Sequence, residues 1–156
     1  MLKIENVFVK DNVMEMDIEA PIYWWMEFDS TNLAIDCEEG TIGEKDFTIN
    51  DFSYNYSAYN PSIFLRTADT IDILNSIRHE YKLANDPKIK KAKLLEIVQL
   101  LPLSYNWKKL VKVDISKAIQ VAESKRGSDY FEWELFEFFL KTEIIRHIQT
   151  EIPIRK

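Results

Sequence analysis

The first twenty positions alternate between apolar and polar residues, and this period of two predicts strands. The alternation changes phase at Asn6, so the first segment is either one strand with a bulge or two short strands. The second segment alternates without a break, which is typical of a strand that is buried on one face. The buried face is predicted to carry Met14, Met16 and Ile18.

A nearly continuous apolar segment runs from Ile22 to Phe28 and predicts a helix that is buried on most sides. Pro21 stands at its start, where the missing N–H of a proline costs no hydrogen bond. We therefore expect Trp24 and Trp25 in the core or in a contact between subunits. The alternative is that these indoles form the wall of a ligand pocket, beside the acidic segment that follows.

The rest of the pattern predicts a loop, irregular structure, four more helices and a short strand. The acidic residues 29–46 contain two glycines and are predicted to be a loop, and residues 46–60 mix aromatic residues with turn formers. The first of these four helices is predicted to begin at Thr67 or Asp69, and the second to extend from about Pro87 to Leu101. The third is predicted to follow the cap Asp114, and the fourth to follow a capping box formed by Asp129 and Glu132. Residues 110–113 are predicted to form the short strand or an extended link.

The last predicted helix, which ends near Ile148, carries apolar residues on two faces. One domain of this size has one core to receive such residues, so the second face predicts self-association as a dimer or tetramer. Together the elements predict a single α+β domain over residues 1–156, helix-rich with a small, mostly antiparallel sheet.

Charge is distributed unevenly along the chain, which has a net charge of −6. Residues 1–80 carry 5 Lys and Arg against 16 Asp and Glu, whereas residues 81–156 carry 15 against 10. Either the two halves neutralise each other, or the basic half holds an anion such as a nucleotide phosphate. The acidic total argues against a direct nucleic-acid partner, and no apolar run approaches the ~20 residues that span a membrane.

Candidate chemistry is sparse. The single cysteine, Cys37, excludes an intrachain disulfide, and with no visible signal peptide this predicts a cytoplasmic protein. Acidic neighbours are expected to raise the pKa of its thiol and to discourage a nucleophilic thiolate. His79 and His147 lie in charged helical runs and lack the spacing of a helical metal site, so no metal is expected. The turn after Pro102 could aim polar groups at one point, or it is an ordinary turn between helices.

Four segments occur along the chain in this order: "EAPIYWWMEFDS", "DFTINDFS", "IVQLLPLSYNWKKLVKVD" and "SKRGSDYFEWELFEFF". Together they resemble the flavin-dependent thymidylate synthase family, and most closely a divergent branch from phages and prophages of Gram-positive bacteria. The resemblance implies a fold like that of the thymidylate synthase complementing proteins. It also implies a homotetramer whose flavin and deoxyuridine monophosphate sites lie between subunits.

The catalytic signature of that family is degenerate in this chain. Its Arg-His-Arg triplet falls on Ser30, Thr31 and Asn32, which carry no charge and cannot replace the guanidinium fork that holds a phosphate. The following signature positions fall on Ile35, near Glu38 and near Gly40, and a late nucleotide-binding arginine falls near Lys125 or Arg126. Nearby carboxylates that would repel a phosphate are Asp29, Asp36, Glu38 and Glu39.

These departures predict a non-catalytic relative of the family that acts as a protein-binding module, without a catalytic residue or a cofactor. In a phage setting it would inhibit a host defence protein or a nucleic-acid-processing protein, because an acidic face can occupy a channel built for phosphates. The alternatives are a structural or regulatory partner of a host or viral enzyme, and an enzyme with a rebuilt site that uses FAD to methylate deoxyuridine monophosphate. The predicted ligand-binding remnant is Lys125, Arg126, Ser104 and Asn106, and the predicted partner surface is Asp29, Asp36, Glu38 and Glu39.

Overall fold

A computed structural model describes residues 1–53 and 61–151, with side chains described as far as residue 148. Its centre is an antiparallel sheet of four strands in the order β1-β2-β4-β3. The two strands predicted near the N-terminus are confirmed, and they form the first hairpin of the sheet. The strands are β1 (Lys3–Lys10), β2 (Val13–Pro21), β3 (Ala34–Glu39) and β4 (Asn106–Asp114).

The phase change in the first strand is a bulge. The pairing of β1 with β2 shifts between Glu5 and Phe8, and Asn6 between them has a φ of 53°. Asp11 and Asn12 form the turn of the hairpin with φ values of 51° and 62°, the left-handed region that Asp and Asn tolerate better than most residues. The bulge therefore keeps the apolar residues on both sides of Asn6 on the face that packs against the core.

The structure describes five helices, and one of them begins at a cap that the sequence predicted. The Asp114 carboxylate accepts a hydrogen bond from the backbone N–H of Lys117 at 2.9 Å, which starts the fourth helix. The third helix begins at Pro87, directly after its own cap Asp86. The helices are α1 (Ile22–Ser30), α2 (Pro61–Leu83), α3 (Pro87–Leu100), α4 (Ile115–Ser124) and α5 (Glu132–Glu151).

The main core lies between one face of the sheet and the helices α1, α4 and α5. The six residues predicted to be buried are confirmed, with exposed fractions of 2% or less: Met14, Met16, Ile18, Trp24, Trp25 and Phe28. The backbone N–H groups of Ile22 and Tyr23 at the start of α1 donate to the carbonyls of Tyr105 and Leu103 at 2.9 and 3.0 Å. The turn before β4 therefore completes the N-terminus of α1.

A second, smaller core lies between α2, α3 and the segment that follows β3. Its buried residues are Phe47, Phe52, Ile71, Leu74 and Ile97. The Asn75 side chain fixes the segment to α2, because its amide oxygen accepts from the N–H of Phe47 at 2.7 Å and its amide nitrogen donates to the Phe47 carbonyl at 2.9 Å.

Three predicted boundaries were wrong. Residues 29–46 are not all loop, because β3 lies within them. The second helix begins at Pro61, and Thr67 lies inside it with its hydroxyl donating to the Ile63 carbonyl at 2.9 Å. The fourth strand is longer than residues 110–113 and begins at Asn106.

Two further predictions concern the ends of helices and the irregular segment. The predicted box would start the last helix directly after Asp129, whereas α5 begins at Glu132, whose carboxylate accepts from the Tyr23 hydroxyl at 2.6 Å. A box does form at a short 3₁₀ turn, Ile49–Asp51, within the segment predicted to be irregular. Residues 54–60 of that segment lie outside the described residues.

In the ranges that the structure describes, no helix has both the length and the apolar character needed to cross a bilayer.

Candidate functional site

Of the four acids of the predicted partner surface, Asp29 lies on α1 and the other three lie on β3, on both faces of the sheet. Side chains alternate along β3, so Asp36 and Glu38 point to the outer face, opposite Lys112 and Leu110 of β4. Glu39 lies on the inner face, opposite Lys109. The structure therefore divides this predicted surface: Asp36 and Glu38 share the outer face of the sheet, whereas the exposed carboxylates of Asp29 and Glu39 both lie near Lys109.

Lys109 is buried on the inner face with 5% of its side chain exposed. Its Nζ lies 3.4 Å from Glu39 Oε1 and 3.8 Å from Asp29 Oδ2. The same atom lies 4.9 Å from the centre of the Trp25 ring and 5.0 Å from that of Trp107. An ammonium group over two indole faces is stabilised by the negative charge of the ring faces. We call these five residues the Lys109 clasp, and it uses two of the four predicted partner acids to hold β3 on β4.

Hydrogen bonds fix the two indoles of the clasp. Trp25 Nε1 donates to the Trp107 carbonyl at 2.9 Å, and Trp107 Nε1 donates to the Gly40 carbonyl at 2.9 Å. The N–H of Gly40 in turn donates to the Lys108 carbonyl at 2.8 Å. A Cβ atom at residue 40 would lie 2.5 Å from that carbonyl oxygen, so only glycine permits this approach.

The positions that the resemblance assigns to the catalytic triplet form the end of α1. The hydroxyl of Ser30 donates to the Glu27 carbonyl and that of Thr31 to the Phe28 carbonyl, both at 2.6 Å. Asn32 then takes a left-handed conformation with a φ of 53°. The two hydroxyls therefore bond to carbonyls in the last turn of α1, and the Phe28 carbonyl also accepts from the N–H of Thr31 at 3.1 Å.

The basic pair of the predicted remnant lies after α4 and lines a cleft of about 440 Å³. Both Nε and Nη2 of Arg126 donate to Glu137 Oε1. Hydrogen bonds from Arg126 and Lys141 lower the pKa of Glu137 to about 2, so its carboxylate is ionised at neutral pH. The Nζ of Lys125 lies 5.4 Å from the centre of the Trp133 ring. Both cations therefore have partners within the chain.

The other two remnant residues lie elsewhere. The Ser104 carbonyl accepts from the N–H of Ser53 at 2.8 Å, and the Asn106 side-chain oxygen accepts from the Ser53 hydroxyl at 2.6 Å. The Ser53 oxygen also accepts from the terminal amino group of Met1. In the described part of the chain, these two residues do not line the cleft of Lys125 and Arg126, so the four do not form one site.

A second cleft, of about 450 Å³, lies between the segment after β3 and the start of β4. It is lined by Tyr105, which belongs to the turn after Pro102 that was expected either to aim polar groups at one point or to be an ordinary turn. Tyr105 and Lys108 line one side, and Asp51 lies on the other. Burial raises the pKa of Tyr105 to about 12, so its phenol remains a hydrogen-bond donor at neutral pH. Arg78 holds the segment by donating to Asp46 Oδ1 at 2.7 Å.

The remaining chemical candidates are separate from each other. His79 is exposed on α2, His147 is half-buried on α5, and Cys37 is exposed on β3. Partial burial is the largest cause of the raised pKa of Cys37, and neighbouring acids add to it, whereas Lys109 opposes it. Over residues 1–53 and 61–151, no three His, Cys, Asp or Glu side chains form a group that could hold a metal ion.

The outward face of α5 is apolar, as the sequence predicted. Phe138, Ile145 and Ile148 have 73%, 57% and 49% of their surface exposed. The opposite face of the same helix is buried and carries Trp133, Phe136 and Leu140. Phe131, which is 45% exposed, precedes the first residue of α5. We call Phe138, Ile145 and Ile148 the α5 stripe.

No protein-family model matches the chain, and no curated protein matches it closely. The resemblance to flavin-dependent thymidylate synthases therefore stays a prediction.

Proposed function

We propose that this protein is a non-catalytic, protein-binding module. The observation that carries the proposal is the α5 stripe, in which Phe138 is 73% exposed on a helix whose other face is fully buried. A contiguous row of large apolar side chains in water is stabilised when another protein surface covers it. Because α5 is already anchored in the core, it presents this row as a preformed rigid face, which lowers the entropic cost of binding.

The local roles of the predicted site residues support a non-catalytic reading. Ser30 and Thr31 complete the end of α1, and Asp29 and Glu39 bind Lys109. A phosphate at the remnant site would have to compete with the Glu137 carboxylate for Arg126. Under the proposed function, these residues therefore stabilise the fold and do not take part in catalysis.

A phage-encoded inhibitor of a host defence or nucleic-acid-processing protein is the narrower form of this proposal. Asp36 and Glu38 would then meet a basic surface of that host protein, because both are exposed on the outer face of the sheet. With such a partner in hand, Asp36→Asn combined with Glu38→Gln should slow association and weaken its dependence on salt. Reversing Glu39 would be a poor test, since it would also break the Lys109 clasp.

The second candidate function is a rebuilt flavin- and nucleotide-dependent enzyme. The cleft beside Tyr105 and Lys108 favours it, because its volume of about 450 Å³ is in the range of small-molecule sites. A protonated phenol and an ammonium group on one wall could donate to a polar ligand.

Melting and calorimetric titration with deoxyuridine monophosphate and with FAD separate the two functions. A ligand at 100 times its dissociation constant adds roughly 2.7 kcal/mol to the free energy of unfolding. We expect no change in melting temperature and no saturable heat with either compound. Saturable binding that Arg126→Ala abolishes would show that the remnant site binds the ligand. Saturable binding that Tyr105→Phe abolishes would show that the second cleft binds it. Either result would overturn the proposed function.

A further inference from the structure

We infer that the cleft lined by Tyr105, Lys108 and Asp51 binds a small zwitterionic ligand of the free amino-acid type. The inference goes beyond the proposed function, because a protein-binding module can also hold a small ligand at a separate site. The cleft volume of about 450 Å³ lies in the lower part of the roughly 300–1,000 Å³ range of small-molecule sites, which suits a ligand of this size.

The Tyr105 hydroxyl is a polar group that the protein leaves without a partner in this cleft. Over residues 1–53 and 61–151, the hydroxyl makes no hydrogen bond with another group of the chain. The rings of Phe47 and Phe52 contact the Tyr105 ring edge-on, with centroids 5.8 and 5.7 Å from its own, so the phenol is held in place. A half-buried hydroxyl has lost part of its contact with water, and a ligand atom that bonds to it offsets that loss.

Lys108 and Asp51 each retain the capacity to bind a ligand. Lys108 Nζ has one ion pair, with Glu5 at 3.8 Å, and 51% of its side chain is exposed. Asp51 Oδ2 accepts from the N–H of Thr48 at 2.8 Å, whereas no group in the described part of the chain bonds to Asp51 Oδ1. The cleft therefore presents a cation and a carboxylate oxygen together with the phenol.

Charged side chains of both signs line the cleft, and they nearly balance. These side chains are Glu44, Lys45, Asp46, Asp51 and Lys108. Arg78 pairs with Asp46 at 2.7 Å, which leaves two carboxylates and two ammonium groups. A ligand without net charge is therefore favoured over an anion or a cation.

A zwitterion uses both kinds of charge at once. Its carboxylate can accept hydrogen bonds from Lys108 and from the Tyr105 hydroxyl, while its ammonium group donates to Asp51. A nucleotide phosphate carries negative charge alone, so Glu44 and Asp51 would repel it.

The first experiment is a melting scan of the full chain with free L-amino acids, added one at a time at millimolar concentration. We expect at least one of them to raise the melting temperature and to give saturable heat in a calorimetric titration. Its N-acetyl and carboxamide derivatives should bind roughly ten-fold more weakly or worse, because each derivative lacks one of the two charges. Absence of binding by every amino acid, or equal binding by the derivatives, overturns the inference.

Matched substitutions on and beside β4 test which side chains hold the ligand. Tyr105→Phe and Lys108→Met should each weaken binding roughly ten-fold, since each removes one hydrogen-bond donor. Lys112→Met is the control, because Lys112 lies on the same strand with a similar ion pair, to Glu15 at 3.7 Å, and lies outside the described lining of the cleft. Equal weakening by Lys112→Met would contradict the assignment of this cleft.

The three glycines of the chain report the position of the ligand in an NMR titration. Gly40 and Gly43 line this cleft, whereas Gly127 lines the cleft of Lys125 and Arg126. The amide signals of Gly40 and Gly43 should shift with the amino acid, and that of Gly127 should not; the reverse pattern overturns the inference. Failure of every amino acid to bind would leave the protein-binding function standing, whereas saturable binding of deoxyuridine monophosphate or FAD would overturn that function.

Discussion

Trp24 and Trp25 are adjacent on α1 and almost equally buried, but their indole nitrogens have different environments. Trp25 Nε1 donates to the Trp107 carbonyl at 2.9 Å. Trp24 Nε1 has no hydrogen-bond partner among the described residues, and its ring lies 5.0 Å from that of Trp133. A buried donor without a partner costs about 1–3 kcal/mol of stability. Trp24 therefore stabilises the core through ring contacts alone, whereas Trp25 also ties α1 to β4.

Replacing each of these tryptophans by phenylalanine separates ring contacts from the hydrogen bond. Both substitutions remove the same volume, but Trp24→Phe also removes the unpaired N–H. We expect Trp25→Phe to cost about 1 kcal/mol more than Trp24→Phe in the free energy of unfolding, measured with urea. Equal losses, or a larger loss for Trp24→Phe, would show that the hydrogen bond contributes nothing.

At the scale of single residues, the sequence predicted which side chains are buried, but it did not predict their hydrogen-bond partners. Met14, Met16 and Ile18 are buried because alternation in a strand fixes which side chains share a face. The partner of Trp25 is a carbonyl 82 residues later in the chain, and no local pattern contains that information. Burial follows from local periodicity, whereas hydrogen-bond partners follow from how distant segments meet.

β3 shows how an element can form without a local signal. Its residues after Ala34 are all exposed, so no alternation between apolar and polar side chains marks it in the sequence. It is a strand because it pairs with β4 and because the Lys109 clasp holds its last residue. The Asp36 carboxylate accepts from the N–H of Cys37 at 2.9 Å, and a charged side chain at a sheet edge discourages unwanted strand pairing.

Lys109 also explains why β4 was predicted too short. A lysine at an inward position breaks the apolar alternation, and the prediction therefore began after it. The aromatic face that receives the ammonium group comes in part from Trp25 on α1, which is distant in the sequence. An inward-facing Lys109 is compatible with a strand because its ammonium group lies over the indole rings of Trp25 and Trp107.

Lys109→Met and Lys108→Met form a matched pair on neighbouring positions of β4. Lys109→Met should lower the free energy of unfolding by about 1–3 kcal/mol, mainly through the loss of two desolvated cation–π contacts. Its ion pairs add less, because Asp29 and Glu39 each have 58% of their side chains exposed. Lys108→Met should cost less than about 1 kcal/mol, since its single ion pair with Glu5, at 3.8 Å, is exposed.

Urea denaturation measures both stability changes, and amide exchange in β3 measures the local effect. Exchange in β3 should accelerate in Lys109→Met and remain unchanged in Lys108→Met. Similar results for the two variants would show that the clasp does not hold the strand.

At the scale of the whole molecule, the described residues form two cores of unequal size. The α+β class was predictable because strands and helices have different periods. The separate position of the α2–α3 pair was not predictable, because its contacts with Phe47 and Phe52 depend on the segment after β3. The candidate site could not be predicted either. Asp36, Glu38 and Glu39 lie close together in sequence, and their division between two faces depends on β3, a strand that the sequence did not predict.

Leu74→Ala tests whether the two cores open independently. Leu74 is fully buried in the smaller core, so its truncation should cost about 2–5 kcal/mol there. We expect native-state hydrogen exchange to accelerate in α2 and α3, because regions with few buried contacts open in units of their own. Exchange in β2 and β4 should remain slow. Equal acceleration in all four elements would mean that the molecule opens as one unit.

The Lys109 clasp also gives the protein an intrinsic optical reporter. The emission of an indole shifts with the charge and water near its ring, and Trp25 and Trp107 each lie close to one ammonium group. Trp24 and Trp133 contact each other in the main core, and the ammonium group near Trp133 belongs to Lys125 instead. Separation of β3 from β4 would therefore shift the emission wavelength of Trp25 and Trp107 before water enters the main core. An emission spectrum recorded during unfolding would distinguish these two events without an added dye.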